Sequence, residues 1–398
     1  MTHRNLTLAL ALLTALLSPS LASSAAGQAF TGGQASTSSQ LHQEMNRATV
    51  QELVELVQAF LERDWIVGAE LMVVQGDETV LHQGFGWRDK ERGVPMERGT
   101  RFNLRSMTKP LVGTLAQRMI DGGALALSDP VAKYLPAFES GASAAITIEH
   151  LLTHTSGLPD GNPAGRPSDY PTLRSIADYW GTHGPTVGEP GTTFMYSDPG
   201  VDVLGAVLES ISRRTLDQLA DTELFQPLGM TNSSALISRE ESQDPTFCST
   251  YQRGADGGWT KLWEPGDGSQ APFTIGSGTT WYSTAEDYAR FLSVWMRGQP
   301  WLSEAAVKRA LEPRHPMDYA NQIPGVEVRY GQMWQVYVDP GQDPGERPVM
   351  FGHSGSDGTY AWVWPEEEVI ILYLTQSRGQ RTRLMVEERF GDLFSGAS

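Results

Sequence analysis

The chain has 398 residues, 30 Lys and Arg against 47 Asp and Glu, a formal net charge of −17, and 40% hydrophobic with 19% charged residues. Such a length buries a sizeable core, as two domain-sized units or one large domain with an insertion, and the composition excludes a disordered, collagen-like or coiled-coil chain. An acidic balance without any basic cluster argues against nucleic acid and anionic membrane surfaces as partners, and the lone Cys248 excludes an internal disulfide or a multi-thiolate metal site.

His3 and Arg4, the apolar run Leu6–Leu17, Pro19 and the small residues up to Ala26 have the three-part layout of a secretory signal peptide over residues 1–26. The run falls short of the roughly 20 apolar residues that a bilayer-spanning helix needs. Export to the periplasm or the extracellular medium follows, with no stable membrane insertion after cleavage. Residues 27–45 are small, polar and aperiodic, and read as a flexible linker. From Val50 the apolar positions Leu53, Val54, Val57, Phe60 and Leu61 predict an amphipathic helix, followed by strands Leu71–Val74 and Thr79–Gly84 around a turn at residues 75–78. Residues 106 to 265 offer helical patterns and Gly/Pro-rich loops such as Gly161–Pro167, with few strands. Strands return at Val326–Val338, Val349–Gly352, Tyr360–Trp364 and Val369–Thr375, and Thr382–Phe394 closes as a helix. The expected fold class is α+β: an antiparallel sheet built from residues 46–105 and 266–398, flanked by the N- and C-terminal helices, interrupted by a mostly helical domain over 106–265, with the binding site in the cleft between them.

Three motifs carry chemistry. Ser106-Met107-Thr108-Lys109 opens an apolar helical segment, and a spacing of three puts hydroxyl and amine on one helical face within hydrogen-bond reach. That is a nucleophile beside a base. Lysine serves as a base only where desolvation or a like charge depresses its pKa, so the pair calls for a dry cleft, and the helix start adds amide donors for an oxyanion. The plainer alternative is Ser106 as an N-cap with Lys109 in solvent. Tyr196, in Phe194-Met195-Tyr196-Ser197-Asp198-Pro199-Gly200 before an apolar helix, projects a phenol suited to general acid or base work, unless it merely packs beside the cap. Phe351-Gly352-His353-Ser354-Gly355-Ser356-Asp357-Gly358 lies at a strand edge, where glycines allow close backbone approach and the Ser356 amide can donate to a carbonyl oxygen; a plain Gly-rich hairpin turn is its alternative.

In this order the motifs resemble those of the serine β-lactamase and penicillin-binding-protein superfamily, in the branch of class C β-lactamases, D-alanyl-D-alanine carboxypeptidases, D-aminopeptidases and related esterases. Residues 148–158 (Ile-Glu-His-Leu-Leu-Thr-His-Thr-Ser-Gly-Leu), 226–231 (Gln-Pro-Leu-Gly-Met-Thr) and 283–287 (Ser-Thr-Ala-Glu-Asp) extend the likeness, which spans roughly residues 46–380. The resemblance implies a β-lactamase/transpeptidase-like fold, Ser106 as acylated nucleophile, Lys109 as its activator, Tyr196 as general base or acid, and an oxyanion hole from the amides of Ser106 and Ser356. Asp198, His353, Ser354 and Gly355 fall at substrate-binding positions. Small esters, peptides or peptidoglycan fragments are the implied substrates, with neither cofactor nor metal.

Two departures bear on the substrate. His353-Ser354-Gly355 stands where the β-lactamases carry Lys-Thr-Gly, replacing a fixed cation by a side chain mostly neutral near pH 7, which disfavours β-lactamase activity proper. Asp198 stands where they have Asn; facing Lys109 it holds the amine protonated and moves proton transfer to Tyr196, and turned away it caps the helix. A zinc site from His150, His154 and His183 lacks the glutamate of the zincin motif, since Leu151 occupies its place, and Gly352–Ser356 fails the α/β-hydrolase elbow at its last position. An inactive peptidoglycan- or protein-binding homologue is disfavoured because competent residues fill all three motifs. Trp263, Trp281, Tyr282 and Trp334 either line an aromatic acyl pocket or, the preferred reading, pack in the core.

Overall fold

A computed structural model describes residues 50–267, 280–298, 301–317, 326–343, 345–379 and 382. The expected signal peptide, the linker and all but the first residue of the closing helix lie outside the described residues. Residues 50–62 (α1) are helical, and Leu53, Val57 and Phe60 on one face are fully buried. Strands β1 (Gly68–Gln75) and β2 (Glu78–Asp89) form a hairpin, longer at both ends than the apolar runs that predict it. β3 (Val94–Pro95), β4 (His315–Pro316), β5 (Glu327–Tyr330), β6 (Gln335–Val338), β7 (Met350–Ser354), β8 (Tyr360–Trp364) and β9 (Val369–Thr375) complete a nine-stranded sheet. Its order is β3-β2-β1-β9-β8-β7-β6-β5-β4, antiparallel throughout.

The apolar run of β9 explains its central place, because a strand covered on both faces has no need of polar alternation. Ile370, Leu372 and Leu374 enter the larger apolar cluster, while Val369, Ile371 and Tyr373 enter a second cluster on the opposite face. α1 covers the second face, where the Phe60 and Tyr373 rings lie 6.4 Å apart. Helix α6 (Ala285–Arg297) covers the first with Tyr288, Phe291, Leu292 and Trp295. Each large side chain so buried contributes about 1.5–3 kcal/mol.

The helical portion contains α2 (Thr108–Asp121), α3 (Ile148–Leu152), α4 (Leu173–His183) and α5 (Asp198–Ser212), with α4 and α2 both against α5. The sheet and helical portions pack as one compact unit. The region read as helical also holds two strands, Thr250–Arg253 and Trp259–Trp263, paired antiparallel, with Ser377–Arg378 added in parallel to the first. These strands are short and half polar, so their sequences carry neither alternation nor an apolar run. Trp281 and Trp334 are fully enclosed in the larger cluster, and Trp263 and Tyr282 pack with Phe247 and Ile237. The aromatic group is core.

Candidate active site

Ser106 sits in a single 3₁₀ turn, Arg105–Met107, that feeds directly into α2. Arg105 has φ 51°, a left-handed conformation costly for a residue with a Cβ, and Asn103 Oδ1 accepts its amide at 2.9 Å. The strained turn is fastened from outside. Asp357 is buried between two guanidinium groups, with Arg105 Nε at 2.6 Å from Oδ2 and Arg378 Nε at 2.9 Å from Oδ1. Arg378 also donates to Ser356 Oγ at 3.0 Å. Gly355 completes the junction, because a Cβ there would lie 2.5 Å from Leu104 O and 2.2 Å from Thr359 Oγ1. The loop after β7 is thereby locked against the turn that carries Ser106. Among the described residues the Ser356 amide meets no acceptor.

Lys109, one helical turn on, is wholly buried, and its Nζ lies 3.2 Å from Ser106 Oγ. Tyr196 comes from the loop before α5, its phenol set against both Lys109 and Ser106, and Lys109 Nζ stands 4.6 Å from its ring centre. Asp198 faces inward: Lys109 Nζ donates to its Oδ1 at 2.5 Å, while Ser197 caps α5 by accepting the Gly200 amide at 3.1 Å. The two alternatives for Asp198 resolve in favour of Lys109, and the helix loses nothing.

This corrects the lysine chemistry expected from sequence. Burial alone pulls the Lys109 pKa down, yet Tyr196 and Asp198 beside it outweigh burial and hold it above the ordinary lysine value. Lys109 is an ammonium. Burial raises the Tyr196 pKa, partly opposed by the Lys109 charge and by hydrogen bonds from Lys109 and Ser106, so Tyr196 rests as a neutral phenol.

Behind the phenol runs a directed line of hydrogen bonds. The Ser197 amide donates to His154 Nδ1 at 3.2 Å, which leaves the proton on Nε2, 3.3 Å from Tyr330 Oη. His353 Nδ1 lies 2.8 Å from the Ser354 carbonyl and must carry a proton to reach it. Its Nε2, 3.0 Å from Tyr330 Oη, is then the acceptor of the tyrosine proton. The His154 ring is neutral in this arrangement. Burial first, then the charges of Lys109, His353 and His315, hold the His154 pKa well below the ordinary imidazole value. His154 has φ 55°, its carbonyl accepts the Met195 amide at 2.8 Å, and its ring lies 4.6 Å from that of Tyr196. It is a support for the Tyr196 loop. His150 instead caps α3, and His183 stacks on Tyr179 at the surface, so the structure does not gather these histidines.

Ser106, Lys109, Tyr196 and Asp198 are thus brought into one group, with Ser354 at the end of β7 and Gly355 and Ser356 on the loop fastened beside it. His353 is 1% exposed and engages both ring nitrogens inside the protein. Sequence reasoning gave no role to Arg105, Asp357, Arg378 or Tyr330. Arg105 and Asp357 adjoin or lie within the motifs and were open to notice; Arg378 and Tyr330 lie in strands whose sequences mark only β structure.

Fold and site together define a protein of the β-lactamase/transpeptidase architecture with a Ser-x-x-Lys centre. Residues 53–390 match the Beta-lactamase family, and the chain belongs to that family of hydrolases. Protein Rv1367c of Mycobacterium tuberculosis (strain ATCC 25618 / H37Rv) is 29% identical over 347 residues, covering 78% of this chain and 85% of the relative. Esterase EstB of Burkholderia gladioli is 35% identical over 205 residues, 46% of this chain and 50% of EstB. Among solved structures, EstCE1, a hydrolase with promiscuous acyltransferase activity, shares the fold with TM-score 0.73 at 23% identity, over 87% of this chain and 98% of EstCE1. An octameric penicillin-binding protein homologue from Pyrococcus abyssi does so with TM-score 0.73 at 22% identity, over 86% and 76%. No helix among the described residues is long and apolar enough to cross a membrane.

Proposed function

We propose that the protein is an exported serine hydrolase that acts through an acyl-enzyme on small esters or on D-amino-acid amide bonds. The observation that carries this reading is the convergence of the Ser106 hydroxyl, the Lys109 ammonium and the Tyr196 phenol. Ser106 Oγ attacks the carbonyl carbon, and its proton passes to the Tyr196 oxygen as the phenol proton moves to the departing oxygen or nitrogen. Lys109, kept charged by Asp198, stabilises the negative charge that develops on both oxygens. The amides of Ser106 and Ser356 receive the carbonyl oxygen. Water then retraces the route and frees the acid. The likeness to Esterase EstB supports the ester reading. A buried His353 supplies no fixed cation for a substrate carboxylate, which sets β-lactams below esters in preference.

The test is steady-state turnover of a short p-nitrophenyl ester, a D-Ala-D-Ala peptide and nitrocefin, together with fluorophosphonate labelling read by mass spectrometry. Ester or peptide hydrolysis is expected to vanish in Ser106→Ala, with the adduct on Ser106. Turnover undiminished by that substitution would refute the mechanism, and nitrocefin as the best substrate would overturn the preference. Export is checked by N-terminal sequencing of protein recovered outside the cytoplasm, which should begin near residue 27.

A further inference from the structure

Remote from Ser106 in sequence, the β1–β2 hairpin and α6 bring together a second group of chemically capable side chains. In the β1–β2 register Glu70 faces Gly84 and Met72 faces His82, so His82 reaches Glu70 diagonally on the same face of the sheet. α6 packs against β1, and its second residue, Glu286, approaches the imidazole from the other side. His82 Nε2 lies 2.5 Å from Glu70 Oε1 and Nδ1 lies 3.4 Å from Glu286 Oε1. One ligand atom from each of the three residues falls within 4.8 Å of the others.

The group carries unmet electrostatic demand. Glu70 is fully buried and its Oε2 has no hydrogen-bond partner among the described residues, nor has Glu286 Oε2. The Gly99 amide, 3.4 Å from Glu70 Oε1, is a weak donor. Among the described residues the ion pairs of both carboxylates are with His82 alone. Two carboxyl groups so placed leave two buried oxygens without a donor, which an ion held between them would satisfy.

We propose that Glu70, His82 and Glu286 bind one divalent cation of the zinc class. One imidazole nitrogen with two carboxylate oxygens suits a borderline transition ion, whereas calcium takes six to eight oxygens. The cation ligates one ring nitrogen and an oxygen from each glutamate, and water completes the shell. Ligand atoms about 2.0–2.2 Å from a tetrahedral ion stand apart by more than a hydrogen bond, so the short His82–Glu70 contact opens and its proton is released. His82 also lines a surface depression with residues 79–81, Gln83 and Arg98, which gives the ion a route from solvent. The site fastens the hairpin to α6 and takes no part in hydrolysis.

The experiment is calorimetric titration of the chelator-treated full chain with zinc chloride, repeated in buffers of different ionisation enthalpy, alongside thermal unfolding. One equivalent binds, protons are released, the melting temperature rises, and affinity falls at least about tenfold in His82→Gln. Glu286→Gln, at a partly exposed position, serves where the buried substitution fails to fold and should show the same loss. Ser106→Ala should bind zinc as the parent does. Absence of zinc binding, equal binding by the parent and the ligand variants, or calcium binding as tight as zinc would overturn the proposal.

Discussion

His154 and His353 share the hydroxyl of Tyr330, and that sharing decides where each proton in the group resides. Tyr330→Phe removes one acceptor and one donor at a fully buried position, leaving His154 Nε2–H and His353 Nε2 without this partner. A loss of about 1–3 kcal/mol in urea unfolding is expected, with slower ester turnover because His154 supports the Tyr196 loop. Unchanged stability would show that the rings find other partners. At this scale the sequence is legible where chemistry is local: Ser106 and Lys109 are three apart on one turn, and Tyr196 precedes a helix start that Ser197-Asp198-Pro199 announces. Tyr330 is illegible because its two ring partners lie 176 and 23 positions away. The sign of the Lys109 shift is illegible too, since it depends on which way Asp198 turns.

At the scale of elements, the loop after β7 and the 3₁₀ turn before α2 behave as one piece, riveted by Asp357. Asp357→Asn weakens both guanidinium contacts and lets the Ser356 amide drift from Ser106. A fall of about tenfold in kcat on a p-nitrophenyl ester is expected, with a smaller change in KM, since about 1.4 kcal/mol of lost transition-state stabilisation is tenfold in rate. Arg105→Lys should not match the parent, because an ammonium has no planar fork to hold the carboxylate. Strands β7, β8 and β9 were readable to within a residue or two because continuous apolar runs suit a doubly covered sheet. Val326–Val338 divides into two strands at Gly331–Trp334, where Met333 takes φ 65°. No local residue pattern announces that turn.

For the whole molecule, the balance of buried histidines sets the response to acid. Burial lowers the pKa of His154 strongly and those of His150 and His315 as well. Unfolded imidazoles near pH 6.5 then take up protons that the folded chain refuses, so this stability is complete above about pH 6.5 and drains away as pH falls below it. Glu70, Glu209, Asp287 and Glu367, with pKa values raised by burial, oppose the trend at lower pH. The melting temperature is expected to drop between pH 7.5 and 5.5, and the drop should shrink in His154→Gln; a flat profile would contradict the assignment of neutral rings. The rivet at Asp357 has one more consequence. Its partner Arg105 was made 252 positions earlier, so a ribosome must finish most of the chain before the nucleophile's turn can be secured. A nascent or prematurely terminated polypeptide therefore carries Ser106 in an unassembled setting and is expected to be without hydrolytic activity.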